Sequence, residues 1–505
     1  MSKTSTDLRL DLWTKAFLGH HSPVIHDKLV SMKSLHKGRA HYIVSKIMKN
    51  MSLIIDHHML FTIEDISNNM NVDHHHIFSP ENHQKIIEII KNKYSLVLMP
   101  LHRAINEAVN YICRSIKIID NDIESNKIMK FYLGSIYKIE FLFSYDLITD
   151  KSTIMIKNQN NDGFIYKPYG YYIDRNLSNL YNIISKNQQY NTNIKRIFFE
   201  SMTEGAYEKI IRRHKGSIKR FDRKNIYHDL GKIMAFSMAM GITDRHIANF
   251  IFTGKEILQI DMETAFNNKH TNIDKYCIGY GLRNVMIKNS NIRYYPSIFD
   301  SHPRKYICYN PIVIDLSPIR IGYKKYYSID HEFFFPLIDS PYKKIFWAGY
   351  EEMHKNIKYN LDFILEFLLR KFENKSIQQR VLISSSRSYR IALSIYEKNL
   401  SLDKRNISLI DSEWFVSMFD RDIKGNMDII KYESEEIMSC RMPYFFRKSD
   451  SCDLWSQRGC VVPNFYEEGL MISVIRKIDN LPQFVDIRSY LENCWSIHPG
   501  SFDDT

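Results

Sequence analysis

The first quarter of the chain carries apolar residues at helical spacing. The clearest case is the segment HRAINEAVNYICRSIK (102–117), where apolar side chains recur at intervals of three and four residues. They are Ile105, Val109, Ile112 and Ile116. Such a pattern gives one helix face that must pack against another element. We therefore expect a mostly helical N-terminal region over residues 1–125.

From about residue 140 the pattern changes to short apolar and alternating runs typical of strands. STIMIK (152–157) and FIYKPYG (164–170) flank a polar stretch that ends in Asp162-Gly163, a strong hairpin signal because glycine accepts positive φ. Alternation along the second strand places Ile165 and Lys167 on one face, with Phe164 and Tyr166 on the other. The sequence thus predicts a hairpin that presents a lysine.

The remaining elements mix helices with short strands. Helices are expected at 173–186, 227–240, 347–373 and 376–399. Strands are expected at 249–252 and 257–260, irregular structure at 300–345, and a loop at 440–465. The fold class is α+β. Three regions are predicted: 1–125, a helical N-terminal region; 126–300, a catalytic core; and 301–505, a mostly helical region.

Composition and charge narrow the class of protein. The 505 residues carry a formal net charge of +12, which suits phosphate-bearing or acidic partners without choosing among them. Seven scattered cysteines without a CxxC pair are typical of a reduced, cytoplasmic protein. The N-terminus lacks a signal peptide and the apolar runs are too short to cross a bilayer. The histidine clusters lack metal-ligand spacing, so we interpret them as surface loops.

One segment combines the residue types that phosphoryl transfer requires. In MGITDRHIANFIFTGKEILQIDMETAF (240–266), Asp244 can orient a hydroxyl, while Asn249, Asp261 and Glu263 offer oxygen ligands for Mg²⁺. Asp261 and Glu263 are two residues apart, so both carboxylates would share one face if the strand continued. Lys167 supplies a cation for the phosphates. Each residue alone is more often structural, but their order along the chain is rare.

The same residues carry a resemblance to known families. The Asp-Arg-His-x-x-Asn order resembles lipid kinases of the phosphatidylinositol 3-kinase type, and no GxGxxG loop is present. A closer similarity is to the dehydratase domain of class II lanthipeptide synthetases, the LanM family. FIYKPYGYYID (164–174) looks like its V-Y-K-P-R-x-x-x-x-D element, and 243–266 looks like its T-D-x-H-x-x-N…I-D-x-E-T-x-F element. Later blocks match at 347–368, 380–389 and 442–459.

The resemblance implies a kinase-like, bilobal core and a peptide dehydratase. Such enzymes phosphorylate Ser and Thr of a ribosomal precursor peptide with ATP and Mg²⁺, then eliminate phosphate to give dehydroalanine or dehydrobutyrine. By position, the implied phosphorylation residues are Lys167, Asp244, His246, Asn249, Asp261 and Glu263, with the last three as metal ligands. The implied elimination residues are Asp146, Arg380 and Ser386.

Departures in three blocks of the family pattern leave an alternative open. The second Arg of the family block R-x-I-x-R-x-T-x-x-Y is Ser384 here, and its Thr is Ser386. The acid of the family's G-D-I-P-Y-F is Arg441, and Asp146 alone remains of an Asp-x-His-x-x-Gly pattern. Losing a cation beside a departing phosphate lowers electrostatic stabilisation. The alternative is a peptide, protein or lipid kinase without efficient elimination.

Partners follow from the same resemblance. We expect a precursor peptide recognised through its leader, and a separate cyclase or other tailoring enzyme, because no zinc cyclase motif follows in this sequence. Nucleic acid and membrane are not expected as partners. Other classes stay open: a pseudoenzyme scaffold that binds peptide without turnover, and a nucleic-acid-binding protein, which rests on basic stretches such as 210–224 and would show steep salt dependence.

Overall fold

The structure is a computed structural model that describes most of the chain in separate ranges. These are 12–32, 40–59, 62, 66, 79–133, 138–142, 153–158, 160–185, 196–201, 204–211, 220–243, 249–253, 257–266, 308–309, 315–316, 319–320, 325–326, 342–373, 377–384, 389, 392–393, 396, 426–439 and 441–489. All structural statements below refer to these residues.

The described ranges contain helices and short strands, with a run of helices before the first strand. The helices are α1 (His21–Val30), α2 (Ala40–His58), α3 (His83–Lys93), α4 (Ser95–Ser125), α5 (Lys127–Leu133), α6 (Tyr171–Ile184), α7 (Arg220–Ala239), α8 (Lys343–Tyr359), α9 (Leu361–Leu368), α10 (Met427–Met438) and α11 (Leu470–Asp479). The strands are β1 (Lys138–Leu142), β2 (Thr153–Lys157), β3 (Gly163–Lys167), β4 (Phe198–Glu200), β5 (Ala206–Lys209), β6 (Phe250–Phe252), β7 (Ile257–Gln259), β8 (Cys308–Tyr309), β9 (Asp315–Leu316), β10 (Ile319–Arg320), β11 (Lys325–Tyr326), β12 (Gln378–Val381), β13 (Phe445–Lys448), β14 (Leu454–Ser456) and β15 (Gly459–Val462). Helices with small antiparallel sheets agree with the α+β expectation.

The N-terminal helices form one hydrophobic core together with a five-stranded sheet. The predicted apolar stripe lies in α4, and its members Ile105, Ile112 and Ile116 are fully buried. The sheet has the order β1-β2-β3-β5-β4, and Phe164 and Tyr166 of β3 join the same core. The opposite face of the sheet is therefore left for Ile165 and Lys167, as the alternation predicted. Most of the described residues within 1–125 lie in helices.

The hairpin between β2 and β3 is confirmed, but the role expected for its glycine is wrong. The positive φ of its turn belongs to Asn161 at 58°, whereas Gly163 already pairs with Lys157 in the ladder. A Cβ at Gly163 would lie 1.8 Å from the carbonyl oxygen of Ile156. Glycine is needed there because the neighbouring strand approaches closely, and the turn conformation is taken by asparagine, which tolerates it.

A buried carboxylate fastens α4 to the sheet. Asp122 is 2% exposed, and its Oδ2 accepts hydrogen bonds from the hydroxyls of Tyr207 on β5 and Ser201 after β4, each over 2.7 Å. Buried acceptors of this kind need such donors, because an unsatisfied carboxylate in the interior is costly. The sheet is thus held from behind by the N-terminal helices.

Helices α7 and α8 cross with their backbones in close approach. A Cβ at Gly231 would lie 2.0 Å from the carbonyl oxygen of Phe346, and one at Gly349 would lie 2.0 Å from that of His228. Glycine on both helices removes the side chains that normally hold helices apart. The two helices belong to a second hydrophobic core, which also contains α6 and α11.

The C-terminal region contains a sheet that the sequence pattern did not predict. Residues 378–381, expected to be helical, form β12, and the expected loop at 440–465 contains β13, β14 and β15. These strands are consecutive neighbours in one antiparallel sheet. The sheet packs against α10, and the side chains between them form a third hydrophobic core. Strands this short show too little alternation for recognition.

None of the helices in the described ranges has the length and apolar character that a membrane crossing requires.

Candidate functional site

A cavity of about 440 Å³ lies between the five-stranded sheet and the C-terminal sheet. One wall is the sheet face that carries Ile165 and Lys167. The opposite wall consists of two extended segments, 380–384 and 442–445. Asp261 and Glu263 also line the cavity. Four of the sequence-predicted site residues, Lys167, Asp261, Glu263 and Arg380, therefore line one cavity.

Lys167 is held at the cavity wall by two carboxylates. Its Nζ donates to Asp174 Oδ2 over 2.9 Å and lies 3.3 Å from Glu208 Oε2. Burial favours the neutral amine, but the two carboxylates outweigh it and raise the pKa of Lys167 above its usual range. An ammonium has three donors, so two carboxylate contacts leave one N–H for a ligand. Lys167 is therefore a charged group at the wall of this cavity.

A second cation, Arg196, binds the same two carboxylates. Its Nε and Nη2 reach both oxygens of Glu208 over 2.6 and 2.8 Å, and Nη2 also reaches Asp174 over 3.1 Å. Arg196 is buried, and its Nη1 donates to the carbonyl oxygen of Gln259 over 3.3 Å. Arg196, Asp174 and Glu208 were not among the predicted site residues. Asp174 stood in the family motif, whereas Arg196 lies in a stretch without any pattern.

The carboxylates of Asp261 and Glu263 meet at a turn. The expectation that they share one face of a continuing strand is wrong, because β7 ends at Gln259 and Asp261 has a φ of 60°. The turn is held by Asp174, whose Oδ1 accepts the Met262 N–H over 2.6 Å. Burial and the Glu263 carboxylate raise the pKa of Asp261 to about 6. The turn achieves what the strand was expected to do, since both side chains line the cavity.

Glu263 forms an ion pair with Arg380 on the opposite wall. The Arg380 backbone N–H also donates to the Glu263 carbonyl oxygen over 3.1 Å. The guanidinium lies 5.5 Å from the centroid of the Tyr444 ring. Burial and the nearby Glu263 raise the pKa of Tyr444, so its phenol is a neutral donor at physiological pH. Tyr444 lines the cavity and was missed as a candidate, although it stands in the Pro-Tyr-Phe block at 443–445.

A glycine with a left-handed backbone lies beside the Glu263–Arg380 pair. Gly170, just before α6, has a φ of 73°. A Cβ at Gly170 would lie 3.1 Å from both Cβ and Oε2 of Glu263. The conformation and the close approach both require glycine here. The turn after Lys167 thus packs directly on a candidate metal ligand.

The other predicted site residues are distributed as follows. Asn249 is buried, and its carbonyl oxygen accepts the Ile260 N–H over 2.9 Å, so it lies beside Asp261, although it does not appear among the described residues that line the cavity. Four residues, Asp146, Asp244, His246 and Ser386, lie outside the described ranges. Their predicted roles stay predictions.

Two of the substitutions that depart from the family pattern, Ser384 and Arg441, have different surroundings. Ser384 lines the cavity, where the family has a second Arg. Arg441 instead forms an ion pair with Glu107 on α4, and its N–H donates to the Glu436 carbonyl oxygen over 2.8 Å. It joins the C-terminal region to the N-terminal helices. Arg441 therefore has a structural partner, while Ser384 leaves the cavity with one cation fewer than the family pattern.

The carboxylates suit a divalent cation that is shared with phosphates. In the described part of the chain, no group of three or more His, Cys, Asp or Glu is arranged to hold a metal. Mg²⁺ commonly takes only one or two protein carboxylates and completes its shell with phosphate oxygens and water. The raised pKa of Asp261 marks two neighbouring, half-buried carboxylates, and a divalent cation would relieve their repulsion. Asp261 and Glu263 therefore fit Mg²⁺ in the presence of a nucleotide.

Comparison with known proteins gives two matches. The family described as a domain of unknown function, DUF4135, matches residues 94–287. The lacticin 481/lactococcin biosynthesis protein LcnDR2 of Lactococcus lactis subsp. lactis is 24% identical over 403 residues, which cover 73% of this chain and 42% of that protein. The chain thus spans less than half the length of this curated relative. Together the matches support a lanthipeptide-synthetase-like family.

Proposed function

We propose that this protein is a peptide dehydratase with a kinase-like, bilobal core. It phosphorylates Ser and Thr of a ribosomal precursor peptide with ATP and Mg²⁺, and then eliminates phosphate to give dehydroalanine or dehydrobutyrine. One observation carries the proposal: a single cavity contains Lys167, Asp261 and Glu263 from the phosphorylation set and Arg380 from the elimination set. Both steps handle the same phosphoryl group, so one site suffices for both.

Phosphorylation needs a cationic grip on ATP and a group that orients the acceptor hydroxyl. In the proposal, the Lys167 ammonium donates to the nucleotide phosphates. Asp261 and Glu263, with Asn249, hold Mg²⁺, which neutralises phosphate charge when bound. Asp244 orients the Ser or Thr hydroxyl and accepts its proton, and His246 supports that loop.

Elimination breaks the Cα–H bond and the Cβ–O bond of the phosphorylated residue. The C–H electron pair becomes the new C=C bond, and the C–O pair leaves with the phosphate. In the proposal, Arg380 and the Tyr444 phenol stabilise the departing phosphate, because both face the cavity as donors. Asp146 and Ser386 handle the α-proton and the orientation of the peptide, as their positions in the family pattern imply.

A kinase without efficient elimination is the second candidate. It is favoured by one observation, the neutral Ser384 that lines the cavity where the family pattern has a cation. The same chemistry on a protein or lipid acceptor would leave a stable phosphate ester. The two candidates share the nucleotide site and differ only in the fate of the phosphoryl group.

Mass spectrometry of a test peptide separates these candidates. The probe is a Ser/Thr-rich peptide incubated with the protein, ATP and Mg²⁺. Dehydration makes each modified residue lighter by one water. Accumulated phosphopeptide, heavier by one phosphoryl group, indicates the kinase. An unchanged peptide together with no calorimetric binding of Mg²⁺–ATP would exclude both. The Asp261→Asn variant should give no modification.

A further inference from the structure

We propose that Arg196 is a positioning residue for nucleotide binding. It keeps Asp174 and Glu208 neutralised, so that Lys167 can turn from these carboxylates to a phosphate of ATP. The inference rests on the proposed function, because it describes how the same site receives its nucleotide. Arg196 does not appear among the described residues that line the cavity, so it acts through Lys167 and the Asp261 turn.

Each of the two cations, Lys167 and Arg196, contacts both carboxylates, Asp174 and Glu208. Lys167 Nζ lies 2.9 Å from Asp174 Oδ2 and 3.3 Å from Glu208 Oε2. Arg196 Nη2 lies 3.1 and 2.8 Å from the same two oxygens. Each oxygen therefore serves both cations. Two positive and two negative charges balance in a place where water has little access.

Charge balance explains why two cations are needed. Without Arg196, Lys167 would be the cation holding two buried carboxylates, and turning to a phosphate would leave both unpaired. With Arg196 in place, Glu208 keeps its two-pronged contact and Asp174 keeps one, so Lys167 is released at lower cost. Lys167 has a side-chain exposure of 16% against 2% for Arg196, which agrees with an exchangeable and a fixed cation.

The same guanidinium also supports the metal turn. Arg196 Nη1 donates to the carbonyl oxygen of Gln259, two residues before Asp261, and Asp174 accepts from the N–H of Met262, the residue after it. Asp261 has a left-handed backbone, which persists only when its surroundings hold it. Arg196 therefore fixes one side of the turn directly and the other through Asp174.

Only arginine meets all of these requirements. Its planar fork binds Glu208 with two nitrogens while a third reaches Gln259, and its plane lies 4.8 Å from the centroid of the Phe198 ring. A lysine would keep the charge but lose the fork. The conservative replacement Arg196→Lys therefore separates the effect of the guanidinium geometry from the effect of the positive charge.

The test compares nucleotide binding in matched variants of the full chain. Calorimetry with Mg²⁺ and a non-hydrolysable ATP analogue gives the dissociation constant, and labelling with an amine-reactive reagent reports the state of Lys167. For Arg196→Lys we expect the dissociation constant to rise at least about tenfold, because one charge-assisted contact is lost. We also expect the amine-reactive reagent to label Lys167 more slowly. The control, Arg175→Lys, alters an exposed ion pair with Glu200 and should change neither readout.

The outcomes test the positioning role of Arg196 and the proposed nucleotide site separately. A folded Arg196→Lys variant with unchanged affinity and labelling would overturn the positioning role. If that variant does not fold, the double variant Arg196→Met with Glu208→Gln removes one charge of each sign. Weakened binding in it supports the role, and unchanged binding overturns it. Lys167→Met tests the proposed function separately: nucleotide binding equal to that of the unaltered protein would reject the site itself.

Discussion

Glu263 and Arg380, 117 residues apart in the chain, are joined twice, by an ion pair and by a backbone hydrogen bond over 3.1 Å. One residue belongs to the implied phosphorylation set and the other to the implied elimination set. Their contact means that a ligand drawing Glu263 toward a cation also changes the electrostatic surroundings of Arg380. We therefore expect the two steps of the proposed reaction to be coupled through this contact.

The first prediction concerns the fate of the phosphoryl group in Arg380→Met. Phosphate departure should slow about 100-fold, the loss typical for one group that stabilises developing charge, so phosphopeptide accumulates. Transfer from ATP should decline far less, because Lys167 remains. Time-resolved mass spectrometry of the peptide measures both steps. Equal losses in the two rates would contradict the role given to Arg380, and Arg380→Lys serves as the charge-retaining control.

The second prediction uses the raised pKa of Asp261, about 6 against the ordinary aspartate value of 3.8. Since the folded protein holds this proton more tightly, stability linked to Asp261 is complete below pH 3.8 and is lost as pH rises through 6. In EDTA, Asp261→Asn should match the unaltered protein near pH ~4. At pH ~8 it should be more stable by up to about 3 kcal/mol. Urea unfolding at both pH values measures this, and an identical difference at both would refute the raised pKa.

The third prediction tests the glycine contact between α7 and α8. In an exposed helix, Gly→Ala is stabilising by about 1 kcal/mol, but the Cβ at Gly231 has no room. Gly231→Ala should therefore destabilise the protein by about 1–3 kcal/mol through overpacking. Gly469→Ala is the matched control, because nothing lies within 4 Å of its Cβ position. A gain in the urea midpoint for Gly231→Ala would show that the helices lie further apart.

The fourth prediction concerns Arg441, which stands where the family pattern has an acid. Its partner is Glu107, and the described lining of the cavity does not include it. Arg441→Ala should cost about 1 kcal/mol or less, since the pair is partly exposed, and should leave the ratio of dehydrated to phosphorylated peptide unchanged. A shift of that ratio by several-fold would return Arg441 to the reaction.

Much of the core could be predicted from the sequence because local patterns specified it. The apolar stripe of α4 and the alternation around Lys167 each depend on neighbouring residues, and both are confirmed. The hairpin β6–β7 is likewise confirmed. Motif order also brought Lys167, Asp261 and Arg380 together as candidates before any contact between them was known.

The remaining features depend on distant contacts that no local pattern records. The role of Arg196 depends on Glu208 and Asp174, which approach it only in the folded chain. The strand β12 is stabilised by β13, which lies more than sixty residues later, so its sequence alone resembled a helix. The left-handed Asp261 was likewise invisible, because it depends on the hydrogen bond from Met262 to Asp174.

The hydrogen bonds of Asp122 have a practical consequence for dissecting this protein. A shortened chain that begins after α4 would lose the acceptor for the hydroxyls of Tyr207 and Ser201, and would expose the apolar side of β3. Tyr207 lies next to Glu208, one of the carboxylates that hold Lys167. A fragment that contains the sheet without α4 would therefore disturb the position of Lys167. The smallest fragment that retains nucleotide binding should include α4 entire.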